Sequence, residues 1–173
     1  MNRSLGNVIA DSLSLGLGYA DRLLVGIEPD KFARFAKNGE TIIESNHPSF
    51  ILGHLALYPG RIVDHLGAGK IVIPEGFESV YSKDAKCVDD PDGSIYPPMP
   101  EVVEAFQSGY GAAMTALRDA ADSDLDQPNP SGGRMTELFP SVGSMFAFYV
   151  GGHVMLHIGQ MSAWRRAMGM GAA

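Results

Sequence analysis

The chain has 173 residues, a formal charge of -7 and one cysteine, Cys87. That length suits a single domain, residues 1–173, with a core that needs no disulfide staple, and a lone cysteine cannot close an intramolecular bridge, which fits a reducing, cytoplasmic setting. The 13 Lys and Arg are scattered and leave no basic stripe for nucleic acid.

Asp11 interrupts the N-terminal apolar run before it reaches signal-peptide length. From about Ser4 to Gly26, Leu5, Ile9, Leu13, Leu23 and Leu24 recur near helical spacing, and Gly26 is the stop. A short helix is expected over Asp30–Phe35, with a turn at Asn38-Gly39. The second long helix starts at His47-Pro48, where proline suits the first turn and Asn46 is placed to cap it, and runs to about Leu66. Pro59 should kink it. His54 falls on its apolar side among Phe50, Ile51, Leu57, Tyr58 and Arg61.

Gly67 to Pro98 is rich in Gly, Pro, Asp and Ser, an unusually long connection for a compact domain, with Ile71-Val72-Ile73 as a short extended piece. The third helix begins at Pro100-Glu101 with a stripe of Val103, Phe106, Tyr110, Ala113 and Leu117, and ends in the acidic run Asp119 to Asp126. After a second loop, Gln127 to Pro140, Ser141 caps a fourth helix that runs to about Met168, with Arg165 and Arg166 in its last turn and Gly169 beyond. Between Leu138 and Trp164 there is no Asp, Glu, Lys or Arg. The segment is long enough to span a bilayer, but its glycines, serines, Gln160 and two histidines favour a buried helix over a membrane span. Four such helices, near 4 to 26, 47 to 66, 100 to 121 and 141 to 168, predict an all-α, antiparallel four-helix bundle with long loops.

His153 and His157 stand four residues apart, so on a helix they share one face and can hold one metal ion, and Gln160 continues that face. That face also collects Val142, Phe146, Tyr149, Val150, Leu156 and Trp164, which places the imidazoles toward the core. The alternative is that His54, His153 and His157 are separately satisfied core residues. Three converging neutral rings without an ion are hard to satisfy, because each needs a donor and an acceptor partner. The spacing matches the zinc-protease helix motif, but Val154 stands where that motif has its general base. Haem held between two helices is an outside alternative, with no Cys-x-x-Cys-His attachment motif. His47 as a fourth ligand is disfavoured, because two turns from His54 is about 10 Å along the helix axis. Cys87 is not read as a nucleophile, and Tyr58, Arg61 and Asp64 are candidates to support the site.

His47-Pro48-Ser49-Phe50-Ile51-Leu52-Gly53-His54-Leu55 resembles the second-helix motif of the DinB/YfiT-like superfamily, and His153-x-x-x-His157-x-Gly159-Gln160 followed by Arg165 resembles its last-helix motif. The two motifs occur in the family's order, and the resemblance extends over nearly the whole chain. It implies an antiparallel four-helix bundle of DinB/YfiT-like type holding a divalent ion, zinc or nickel with iron as a further option, on His54, His153 and His157. It also implies a metal-dependent transferase joining a low-molecular-weight thiol to a small electrophile, in a pocket expected between Phe50, Tyr58, Phe146 and Tyr149. A non-catalytic metal-binding stress protein and a metal-dependent hydrolase are the alternatives. The long 67–98 connection and His47 depart from the family pattern. The partners expected are a small-molecule substrate and a second copy of the chain, a homodimer, with neither nucleic acid nor membrane.

Overall fold

Ser4 opens the first helix, α1 (Leu5–Leu24), by accepting a hydrogen bond from the Asn7 amide at 3.2 Å, which satisfies one of the free donors of the first turn. The helix buries Ala10, Leu13, Ala20 and Leu23 along one stripe, and the chain leaves it through Gly26, whose φ of 77° lies in the left-handed region. The computed structural model describes residues 4–173; Arg3, the basic residue of the N-terminal segment, lies outside them. The protein is mostly helical, with one small two-stranded sheet.

The expected helix over Asp30–Phe35 does not form. The backbone groups of that stretch are engaged by distant segments: the Ser49 amide donates to the Phe32 carbonyl at 3.0 Å, the Asp90 amide to the Ala33 carbonyl at 3.0 Å, and the Trp164 indole to the Arg34 carbonyl at 2.8 Å. Within it the amides of Lys31, Phe32 and Arg34 reach back three residues, to the carbonyls of Glu28, Pro29 and Lys31 at 2.9 to 3.3 Å, so the stretch forms tight turns in place of an α-helix. The chain continues as an antiparallel hairpin, β1 (Ala36–Asn38) and β2 (Thr41–Ile43), with Gly39 at φ 59° taking the first loop position.

Pro59 does more than kink the second helical segment. It is the first residue of a separate helix, so the segment divides into α2 (Pro48–Ala56) and α3 (Pro59–His65) with a break at Leu57-Tyr58. His47, not Asn46, caps α2: its Nδ1 accepts from the Phe50 amide at 3.2 Å. The long connection that follows pairs into no strand at Ile71–Ile73. It contains α4 (Phe77–Tyr81) and is pinned by its aspartates. Asp89 forms a two-pronged pair with Arg34 at 2.9 and 3.1 Å, and the Asp90 carboxylate accepts from the amides of Ser94, Ile95 and Tyr96 at 3.0 to 3.1 Å. Both partners hold these carboxyls below the usual carboxylate range.

α5 (Met99–Asp119) buries Phe106, Tyr110, Ala113 and Leu117 as expected, but Val102 and not Val103 leads the buried stripe, Val103 being half-buried, and the helix packs against α1, α2 and α3. After the short α6 (Asp122–Leu125) and α7 (Gly133–Leu138), Ser141 and Ser144 form a reciprocal capping box at the start of α8 (Val142–Ala147). The final helix runs unbroken over Val142–Ala167, as expected, but it is not uniformly α. A π turn, Phe148–Gly152, separates α8 from α9 (His153–Ala167), and α9 packs against α1 and α2. Among the described residues the run 142–167, of mean hydropathy 1.2, is the one long and apolar enough to cross a membrane by length and composition, and half of its apolar window is buried against the rest of the protein.

The π turn changes which residues face the core. A widened turn inserts one residue into the helical repeat, so downstream faces move on by one position. Uninterrupted periodicity predicts His153, His157 and Gln160 on the buried face; the structure buries Val154, Ile158 and Met161. Leu156, expected on the core face, is 60% exposed. His153, His157 and Gln160 are thereby brought to the boundary between core and solvent.

Candidate metal centre

His54, near the end of α2, and His153 and His157, on the first turns of α9, converge. One ring nitrogen from each lies within 4.8 Å of the others, and the ring centroids are 4.8 to 5.3 Å apart. These are the three histidines singled out from the sequence. Bonds of ~2.1 Å to one ion would need the three donor atoms closer together than this, so His54, His153 and His157 would hold it only after the rings moved inward. The site is thus able to hold a metal ion.

The outer hydrogen bonds suit that role. His54 Nδ1 lies 2.8 Å from the Tyr81 carbonyl, which can only accept, so Nδ1 carries the proton and Nε2 keeps its lone pair. His157 Nδ1 donates in the same way to Gln160 Oε1 at 3.1 Å, and Asn46 Nδ2 donates to that same oxygen at 3.1 Å. The amide group of Gln160 is therefore fixed from both sides and holds one tautomer of His157. This arrangement of an outer acceptor orienting a ring whose other nitrogen is free is the usual support for metal-ligating histidine. His153 differs, since its buried Nδ1 has no hydrogen-bond partner. A buried ring nitrogen without a partner is costly, and of the three rings His153 is the one with no outer acceptor to fix its tautomer.

Burial keeps all three rings neutral. It lowers the proton affinity of His54 and His157 below the usual value. His153 is lowered to about 3, first by burial and then by the nearby His157, His54 and Arg61. Neutral imidazoles are the form that binds metal.

His47 plays a different part from His54. It is fully buried, and its two nitrogens are both committed: Nδ1 to the Phe50 amide and Nε2, as donor, to the Val88 carbonyl at 2.9 Å. It has no lone pair left for an ion, and it ties the long connection to the start of α2. Burial lowers its pKa to about 4.

A cleft of about 570 Å³ opens beside His153, lined on one wall by Leu57, Tyr58 and Arg61 and on another by Phe148 and Tyr149. The Tyr58 ring stands 4.5 Å from His153 and 5.1 Å from His54, centroid to centroid. Of the four aromatic residues expected to wall the pocket, Tyr58 and Tyr149 do so. Phe146 is buried in the core against His65, and Phe50 lies parallel to the His54 ring, 6.3 Å away and 6% exposed. Phe148, in the π turn, takes their place. Asp64 lines an adjoining exposed groove that shares Leu57, Arg61 and Glu78 with the cleft. Cys87 is half-buried in another small cavity, its thiol pushed up to about 11 by burial, so it is protonated at neutral pH and no nucleophile.

Sequence reasoning missed the Tyr81 carbonyl, the Asn46–Gln160 clamp and Phe148. The Tyr81 ring rests on Gly53, where any Cβ would collide with it. A glycine immediately before a buried histidine was therefore the one local sign that something packs there. Arg165 also acts differently from expected, donating to the Leu23 and Val25 carbonyls at 2.9 and 2.6 Å and so closing the C-terminus of α1 from outside. No protein-family model matches the chain, and no curated protein matches it either.

Proposed function

We propose that this chain is a divalent-metal protein of DinB/YfiT-like type, in which α1, α2–α3, α5 and α8–α9 form the four helices of the bundle. In this reading one zinc or nickel ion sits on His54, His153 and His157, and the protein joins a low-molecular-weight thiol to a small electrophile in the adjoining cleft. The observation that carries the proposal is the convergence of three neutral imidazoles beside an open cleft. Three protein ligands with an open side suit catalytic rather than structural zinc, and the cleft volume is that of a small-molecule site.

When bound, the ion supplies a lowered pKa for a coordinated thiol, which makes a thiolate nucleophile at neutral pH. The chain's own residues do the remainder. Tyr81 and Gln160 hold the rings of His54 and His157 in one tautomer. Tyr58, Phe148 and Tyr149 offer an aromatic surface to the electrophile. Burial raises the pKa of the Tyr58 hydroxyl, so it stays protonated and is able to donate a hydrogen bond to charge developing beside it.

The test is the cobalt-substituted protein, titrated with glutathione, bacillithiol and mycothiol and then offered haloaromatic and epoxide electrophiles. A thiolate-to-cobalt absorption band with one of the thiols, and product formed with it, are expected, and both should be lost in His157→Ala. Conjugation at the full rate in that variant would remove the metal from the reaction.

A further inference from the structure

Four charged side chains line the cleft: Arg61, Glu78, Lys83 and Asp84. Glu78, Lys83 and Asp84 belong to α4 and the residues after it, whereas Arg61 stands on α3, three residues beyond Tyr58. Its guanidinium carbon lies over the Tyr58 ring, 5.1 Å from the centroid, and that same ring is 4.5 Å from His153. Arg61 is thus one aromatic ring away from the histidine cluster. Its charge also acts on His153, adding to the burial and the neighbouring rings that disfavour a proton there. No carboxylate of the described residues pairs with it; the ion pairs are Lys31–Asp30 and Arg34–Asp89.

A guanidinium held over an aromatic face is already restricted, so less freedom is lost when it meets a ligand. Its planar fork matches a carboxylate through two parallel hydrogen bonds. The acids Glu78 and Asp84 balance Lys83 and Arg61 in number, and of the four Arg61 is the one stacked on the ring beside His153.

We propose that the cleft selects a small planar ligand bearing a carboxylate, its flat body among Tyr58, Phe148 and Tyr149 and its carboxylate on Arg61. The proposal rests on the cleft being the ligand site of the preceding reading, and it makes Arg61 a specificity-determining residue. Either reacting partner, thiol or electrophile, can bring the carboxylate.

The experiment is calorimetric titration of the metal-loaded protein with two matched pairs: benzoate against benzamide, and 3-mercaptopropionate against 2-mercaptoethanol. At least one acid should bind about tenfold or more tightly than its neutral partner, as expected for a charge-assisted two-pronged contact. The pair that discriminates identifies which reactant carries the carboxylate. Arg61→Gln should erase the preference with metal content unchanged, and Arg61→Lys should keep part of it. A preference that survives Arg61→Gln, or no preference in either pair, would overturn the assignment. The benzoate pair is repeated on metal-depleted protein. A preference lost with the metal while Arg61 is intact would give the carboxylate to the ion instead and overturn the proposal. A preparation that binds no metal at all but keeps an Arg61-dependent preference would count against the metal reading alone.

Discussion

α5 and the α8–α9 run are both long apolar helical segments, yet only one of them follows its sequence period. In α5 the stripe of Phe106, Tyr110, Ala113 and Leu117 is buried as spaced. In the final run the period holds through Phe146, breaks at the π turn Phe148–Gly152, and resumes one residue later with Val154, Ile158 and Met161 inside. The difference separates two jobs. α5 packs; α9 has to bring two histidines to His54 without giving up its own packing, and one inserted residue lets it do both.

The most damaging change to this arrangement is deletion of Gly151, which should restore a plain α-helical repeat. His153, His157 and Gln160 would then turn by about 100° toward the core, the apolar face would turn outward, and metal affinity should fall by at least about a hundredfold with the loss of two ligands. Metal titration followed by circular dichroism, to confirm retained helix, reads the outcome. Affinity equal to the parent protein would show that the π turn does not position the site.

A second test sharpens the contrast between histidines that bind and those that pack. His47 has its pKa lowered from 6.5 to about 4 by burial, so the folded state resists a proton that the unfolded state accepts. Its contribution is complete above pH 6.5 and is lost as pH falls toward 4, amounting to about 3 kcal/mol across that window. In metal-depleted protein, denaturant titrations of His47→Asn should show a shallower loss of stability over this range, by about one proton in the slope. An unchanged slope would mean that His47 titrates in the folded state as it does in the unfolded one.

Gln160 orients a ligand without being one, so Gln160→Ala should weaken metal binding by about tenfold and leave the thermal midpoint of the metal-free protein nearly unchanged. The smallest effect is expected in α5. The Tyr110 hydroxyl is buried without a partner, and burial pushes its pKa well above the usual range. Tyr110→Phe removes an unsatisfied group, so it should be neutral or stabilising by up to about 1 kcal/mol with no change in metal affinity. A marked loss of stability would show that the hydroxyl has a partner in solution.

Where local chemistry decides, the sequence was legible: the Ser141 cap, an interruption at Pro59, most of the α5 stripe and the grouping of three histidines. The π turn left no periodic signature, because a one-residue insertion reads as noise over so short a span, and only the Gly151-Gly152 pair before His153 hinted at it. The Asp30–Phe35 stretch carries turns in place of the expected helix, and its carbonyls at Phe32, Ala33 and Arg34 accept from Ser49, Asp90 and Trp164, partners that no local window contains. The same holds for the support of the site, since Tyr81 is 27 residues from His54 and Asn46 is 114 from Gln160. Ligands stand out by type and spacing, whereas the carbonyls and amides that orient them are set by the fold.

The most direct measurement is metal stoichiometry by native mass spectrometry on protein exposed to zinc or nickel, for the parent chain and for the variant lacking His54, His153 and His157 together. The account predicts about one ion per parent chain and none in the variant, with both proteins remaining helical. Full occupancy in the triple variant, or a parent chain that takes up no ion, would contradict it.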